Sequence, residues 1–267
     1  MSQNPLDIHY NMELNFFPGD SIQAPMIEGV NQVSIVNNWY QPLTEVYIHN
    51  NSNGYYNPDD DRSAYTTLGE ISGNHYGGVE DAETISMKIR LEPALEVGDS
   101  TMINIPFRTR ISRISETFLP VVGTRGETTI YNLIAFYPSL EYFFKDGWHT
   151  EFHSGKSDVH ANTSAFDVSI TYQAEYLLGT SAQYISADTL DNGFITQRIT
   201  HSGISSFSAV LSKQFIKISK KVNGVNIELF CTEDWTKNAI KLLTEMESLI
   251  PFYEEHFGPC PNDKLTI

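Results

Sequence analysis

Apolar and polar positions alternate with a period of two along much of the chain, and turn-forming residues separate the alternating stretches. Ile85, Met87, Ile89 and Leu91 fall on one face of such a stretch, with Ser86, Lys88, Arg90 and Glu92 on the other. That is the pattern of a half-buried antiparallel strand. Tyr10, Met12, Leu14 and Phe16 share a face in the same way, and Phe166, Val168, Ile170 and Tyr172 lie opposite Asp167, Ser169 and Thr171. Further strands are predicted around 33–36, 46–48, 102–107, 207–211, 215–218 and 225–230. Pro106 has no N–H to donate, so the strand over 102–107 is expected at a sheet edge or broken. Short strands with no helices between them predict a mainly β fold of sandwiched antiparallel sheets, not a parallel α/β sheet. Two polar stretches, 50–62 and 73–83, are expected to be loops. Asp59, Asp60 and Asp61 in the first read as a solvated turn, because a calcium loop alternates its ligands with spacer residues.

The period changes near Thr232. From Glu233 to Phe257, Trp235, Ala239, Leu242, Leu243, Met246, Leu249, Ile250, Tyr253 and Phe257 follow a three-to-four spacing, which predicts one helix with one buried face. Thr232 or Asp234 is expected to cap its start, Gly258 and Pro259 to stop it, and Pro251 to kink it or end it early. Beyond Pro261, Lys264, Leu265, Thr266 and Ile267 read as the opening of a strand. The expected organisation is a β-domain over 1–231, followed by a helix and first strand of an incomplete second domain over 232–267.

Composition narrows the partners. With 33 acidic against 17 basic side chains the net charge is -16, which repels nucleic-acid phosphate and anionic membrane surfaces. Neither partner is expected. The opening MSQNPLDIHYNMELNFF is interrupted by Asp7, Asn11, Glu13 and Asn15, so it does not read as an export signal, and no apolar run approaches the roughly 20 residues of a membrane span. A cytoplasmic location is the expectation. Cys231 and Cys260 stand without a CxxC or a neighbouring histidine pair and read as ordinary thiols.

Candidate chemistry is sparse. In His149-Thr150-Glu151-Phe152-His153 the two histidines are four apart, but the glutamate does not directly follow the first, as the HExxH zinc helix requires. Gly147 and Gly155 bracket the segment among predicted strands and turns, and in a strand residues four apart are about 13 Å apart, too far to share one zinc ion. There is no GxSxG elbow, phosphate-binding glycine loop or reactive-cysteine setting. Phe136, Tyr137, Tyr142, Phe143, Phe144 and Trp148 form an aromatic cluster that suits a sugar-stacking platform or, more simply, the filling of a β core. No catalytic, cofactor-binding or metal residue is assigned.

Five stretches carry a likeness over nearly the whole chain. The first runs from Tyr10 through IEGVNQVSIVNNWYQPLTEVYIHNN, with Gly29 in a turn, Asn37 ending a strand and Pro42 and Leu43 starting the next. LEPALEVGDSTMINIPFRTRI (91–111) has a glycine turn before a strand with Phe107 near its end. FYPSLEYFFKDGWHTEFH (136–153) leads from an aromatic before proline into a Gly-Trp-His hairpin, and FDVSITYQAEYLLGTSAQ (166–183) runs from a strand into a glycine-containing turn. YEEHFGPCPNDKLTI (253–267) has a helix end, a turn and a strand. In this order they resemble the N-terminal half of the aminopeptidase N and leukotriene hydrolase group of zinc metallopeptidases. The sequence departs from that group where Cys260 replaces an aromatic, and where the proline often found after the strand of the fourth stretch is missing.

The resemblance implies a saddle-like antiparallel β-sandwich followed by the start of a thermolysin-like catalytic domain. That domain's GxMEN-type loop and HExxH would lie beyond Ile267. Zinc and a peptide substrate are therefore expected of a full-length protein, with this chain inactive alone. The alternatives are a stand-alone binding or scaffold β-domain and a carbohydrate-binding sandwich. The wide apolar face of the helix also predicts self-association. Small-angle scattering should show dimers as concentration rises, and a strictly monomeric profile at high concentration would contradict this.

Overall fold

A computed structural model describes residues 5–20, 22–55, 62–82, 85–113, 120–150 and 161–267. Among them the alternating stretches become strands. The chain opens with β1 (Leu6–Phe17), β2 (Met26–Asn37) and β3 (Leu43–His49). After a 3-10 segment at Asn51–Tyr55 come β4 (Tyr65–Leu68), β5 (Ser72–Gly73), β6 (Tyr76–Ala82), β7 (Ser86–Leu95) and β8 (Ser100–Arg110). Five short strands follow: β9 (Val121–Arg125), β10 (Thr128–Leu133), β11 (Ser139–Leu140), β12 (Tyr142–Phe144) and β13 (Gly147–His149). Next are β14 (Ser164–Gln173), β15 (Leu177–Thr180), β16 (Gln183–Thr189), β17 (Phe194–Ile204) and β18 (Ala209–Ser212). The chain ends with β19 (Ile216–Val222), β20 (Val225–Cys231), helix α1 (Thr236–Phe257) and β21 (Lys264–Thr266). The fold is mainly β, with several sheets and one C-terminal helix.

The largest sheet has the order β16-β17-β14-β1-β2-β8-β4, with β5 also on β8. β1 lies inside it, antiparallel to β2 and parallel to β14, so this sheet is mixed and not purely antiparallel. The parallel register sets Tyr10 against Phe166, Met12 against Val168 and Leu14 against Ile170, uniting the two apolar faces that the alternation predicts. Two four-stranded sheets, β11-β3-β7-β6 and β15-β18-β10-β9, complete one large core with it. Each large apolar side chain fully buried there, such as Phe16, Ile48, Ile89 or Phe166, contributes about 1.5–3 kcal/mol relative to exposure.

Several polar groups inside this core are matched by hydrogen bonds, while Asn31 Oδ1 and Asn50 Oδ1 are buried without a partner among the described residues. Tyr10 stacks on Phe166 at 4.9 Å between ring centroids, and its hydroxyl accepts the Leu140 N–H at 3.0 Å. The Tyr137 hydroxyl accepts the Phe207 N–H at 3.0 Å. Burial drives the acidity of both phenols down, raising their pKa above the ordinary tyrosine range. The Asn31 amide donates to the Pro138 carbonyl at 2.7 Å, fastening β2 to the segment before β11.

Several local expectations are overturned for identifiable reasons. β8 is neither an edge strand nor broken, because Pro106 lies in a continuous ladder with β2 on one side. On the other side it is the partner that breaks. The Pro106 carbonyl accepts the Gly69 N–H at 2.7 Å between β4 and β5, and the N–H that proline lacks faces that same gap. The stretch 73–83 is not a loop throughout, since β6 (Tyr76–Ala82) within it pairs with β7 through two register shifts that accommodate its irregular backbone. Gly29 is not in a turn but inside β2, opposite Leu14, where an added Cβ would come within 1.9 Å of the Glu13 carbonyl oxygen.

The helix differs too. It continues through Pro251 to Phe257, with Met246 and Ile250 packed on the core beneath it, and ends at Gly258, whose N–H donates to Glu254 O at 3.1 Å. Neither Thr232 nor Asp234 supplies a side-chain cap: Thr232 precedes a 3-10 turn at Glu233–Trp235, and Trp235 occupies the helix cap position. The buried face is narrower than predicted. Ala239 and Leu243 are buried, whereas Trp235, Leu249, Tyr253 and Phe257 are exposed.

Strain is visible at Ala135, between β10 and β11, where φ is 49°. An alanine there meets the steric cost of the left-handed region that glycine avoids. Ala135→Gly should therefore stabilise the protein by about 1 kcal/mol, read as a higher urea midpoint at unchanged slope. A lowered midpoint would show that the methyl group's packing outweighs its strain.

Candidate functional site

The residues singled out by sequence separate in space. His149 sits on β13 in a hairpin with β12, exposed, with Nε2 2.9 Å from Asp146 Oδ1. The hydrogen bond from His149 holds the Asp146 carboxyl below its ordinary pKa. Glu151 and His153 lie outside the described residues. Among the described residues no three His, Cys, Asp or Glu side chains are grouped to hold a metal ion. Cys231 and Cys260 are both free thiols, and burial, aided by the nearby Asp234 charge, pushes the Cys231 pKa up. No helix among the described residues is long and apolar enough to cross a membrane.

The aromatic cluster divides between core and surface. Phe136, Tyr137 and Phe143 are buried in the core, and Phe143 packs edge-on against Trp148 at 4.8 Å and Trp39 at 5.1 Å. The Trp148 indole N–H donates to the Glu45 carbonyl at 3.1 Å, which ties the hairpin to β3. Phe144, on the opposite face of the hairpin, stays exposed.

One buried ionisable pair escaped the sequence reading. His49, at the end of β3, and Glu141, between β11 and β12, are both buried and meet with Nδ1 2.7 Å from Oε1. Such a pair resembles the orienting half of a base-catalytic triad, yet its burial suits it to fixing the β3–β11 pairing. The two residues are 92 positions apart, so no local motif marks them.

The C-terminal elements form a smaller unit with its own apolar cluster. Val222, Val225, Ile227, Leu229 and Cys231 of the β19-β20-β21 sheet pack with Ala239 and Leu243 of α1. The division expected between 231 and 232 passes through this cluster. The unit rests on β15, where Gly179 admits the Phe230 ring; a Cβ there would approach the ring to 2.9 Å. Thr266 Oγ1 donates to the Thr180 carbonyl at 2.7 Å, and Lys264 Nζ to the Ala182 carbonyl at 2.9 Å. Lys264 also pairs with Glu228 at 3.1 Å, and Lys217 pairs with the same carboxylate at 3.2 Å.

Beside this seam lies a cleft of about 530 Å³, within the usual size of small-molecule sites. Ile130 of β10, Phe230 of β20, and Trp235 and Leu242 from the helical segment form its apolar walls. Arg125, at the β9–β10 turn, and Asp234, before α1, are the charged residues lining it. Asp234 accepts a hydrogen bond from Thr232 Oγ1, while Arg125 makes no ion pair among the described residues. Sequence reasoning placed Trp235 and Leu242 on an apolar helix face but had no signal to join them to Arg125. Comparison with known protein families finds no match, and no curated protein is significantly similar to this chain.

Glu228 gives the seam a pH dependence. Burial pushes its pKa up, but Lys264 and Lys217 outweigh that effect and hold it below the ordinary value. The folded protein thus binds this proton less readily than the unfolded chain. The resulting stabilisation is complete above the ordinary glutamate value, about 4.3, and is lost as pH falls through the lowered folded value. Glu228→Gln should flatten this acid limb of Tm against pH; an unchanged limb would assign it to other carboxylates.

Proposed function

We propose that this chain is the N-terminal, non-catalytic part of a zinc aminopeptidase, a saddle-like β-domain followed by the first elements of a thermolysin-like domain. The observation carrying the reading is the stretch Tyr253–Ile267, where helix end, Gly258 turn and strand β21 follow one another in the family's order. The ordered likeness of the four upstream stretches supports it, as does the mainly β body to which they belong. In this role the β-domain would wall one side of a peptide cleft, while zinc and its general base would come from sequence after Ile267.

The test is to express the natural reading frame through and beyond Ile267, then measure bound zinc and release of amino-terminal residues from aminoacyl-anilides. About one zinc per chain with chelator-sensitive release is expected. A frame that carries no HExxH, or a zinc-free product, would refute the reading and leave a scaffold protein.

A further inference from the structure

We propose that the cleft beside the seam binds a short apolar peptide with both termini free, its carboxylate at Arg125 and its ammonium group at Asp234. The inference does not rest on the aminopeptidase reading. Ile130, Phe230, Trp235 and Leu242 offer apolar surface to a buried ligand body, and the cleft's volume of about 530 Å³ suits a small molecule. Its two charged residues have opposite signs and come from different elements, the β9–β10 turn and the segment before α1. A ligand with a single anionic head would meet Asp234 uncompensated, and one with a single cationic head would leave Arg125 unused. A dipolar ligand with an apolar middle satisfies both. The guanidinium offers a planar fork to a carboxylate, and the aspartate accepts from an ammonium group.

The cleft's charges are also separable from its packing. Arg125 and Asp234 are exposed, so neutral replacements there leave the apolar walls in place. Trp235 lines the cleft and is 55% exposed, so its emission reports occupancy.

Isothermal titration and Trp235 emission would be measured with the dipeptide Leu-Phe, its N-acetyl form and its C-terminal amide, for wild type, Arg125→Gln and Asp234→Asn. Circular dichroism would verify the fold of each variant, and Trp235→Phe would assign the emission change. The free dipeptide should bind wild type about tenfold more tightly than either capped form. Arg125→Gln should weaken the free dipeptide about tenfold while leaving the amide unchanged, and Asp234→Asn should do so while leaving the N-acetyl form unchanged. Absence of binding to wild type, equal binding of all three peptides, or variants that weaken every ligand alike would each overturn the proposal. These outcomes are independent of zinc content and peptidase activity.

Discussion

The fold depends on the placement of β1 between β2 and β14. A strand paired on both sides must present one register to both neighbours, and a slip of one residue would turn Tyr10, Met12, Leu14 and Phe16 to the outer face. The parallel pairing with β14 imposes a second constraint, since a parallel return needs a long connection. Here that connection is most of the β-body. It contains β2 to β13, and with them the whole of one smaller sheet and half of the other. The interior of the large sheet and the material that covers it are therefore specified by the same pairing.

Buried polar groups follow from that arrangement. Tyr10 and Tyr137 act as hydrogen-bond acceptors for backbone N–H groups that would otherwise be buried unpaired, and Asn31 donates to a carbonyl next to β11. His49 and Glu141 make the corresponding link at the end of β3. Removing one member of such a pair leaves a buried group unsatisfied, whereas replacing both with apolar residues need not. These contacts thus select the pairing of the short strands more than they add to net stability.

The C-terminal unit is attached by different means. Its own cluster joins β19, β20 and α1, and its contacts with the β-body include the Phe230 ring on Gly179 and hydrogen bonds from Lys264 and Thr266. Only part of α1 is consumed in this packing, which leaves Trp235, Leu249, Phe252 and Tyr253 exposed. The seam's ion pairs gather on Glu228, a carboxylate screened enough from water for two lysines to govern its titration.

By itself the sequence determined the class of structure: strand faces such as Phe166 to Tyr172 and the helix ending at Gly258 follow from spacing and turn chemistry that act over a few residues. Local pattern misplaced Pro106 and much of the stretch 73–83, and the family resemblance misplaced Gly29, because in each case a neighbouring strand supplies or relieves the hydrogen-bonding demand. The meeting of His49 with Glu141, and the placing of Arg125 and Asp234 on one cleft, were decided by tertiary structure alone. Both pairs join residues far apart in the chain, and neither spacing nor composition encodes which distant strand will lie beside which.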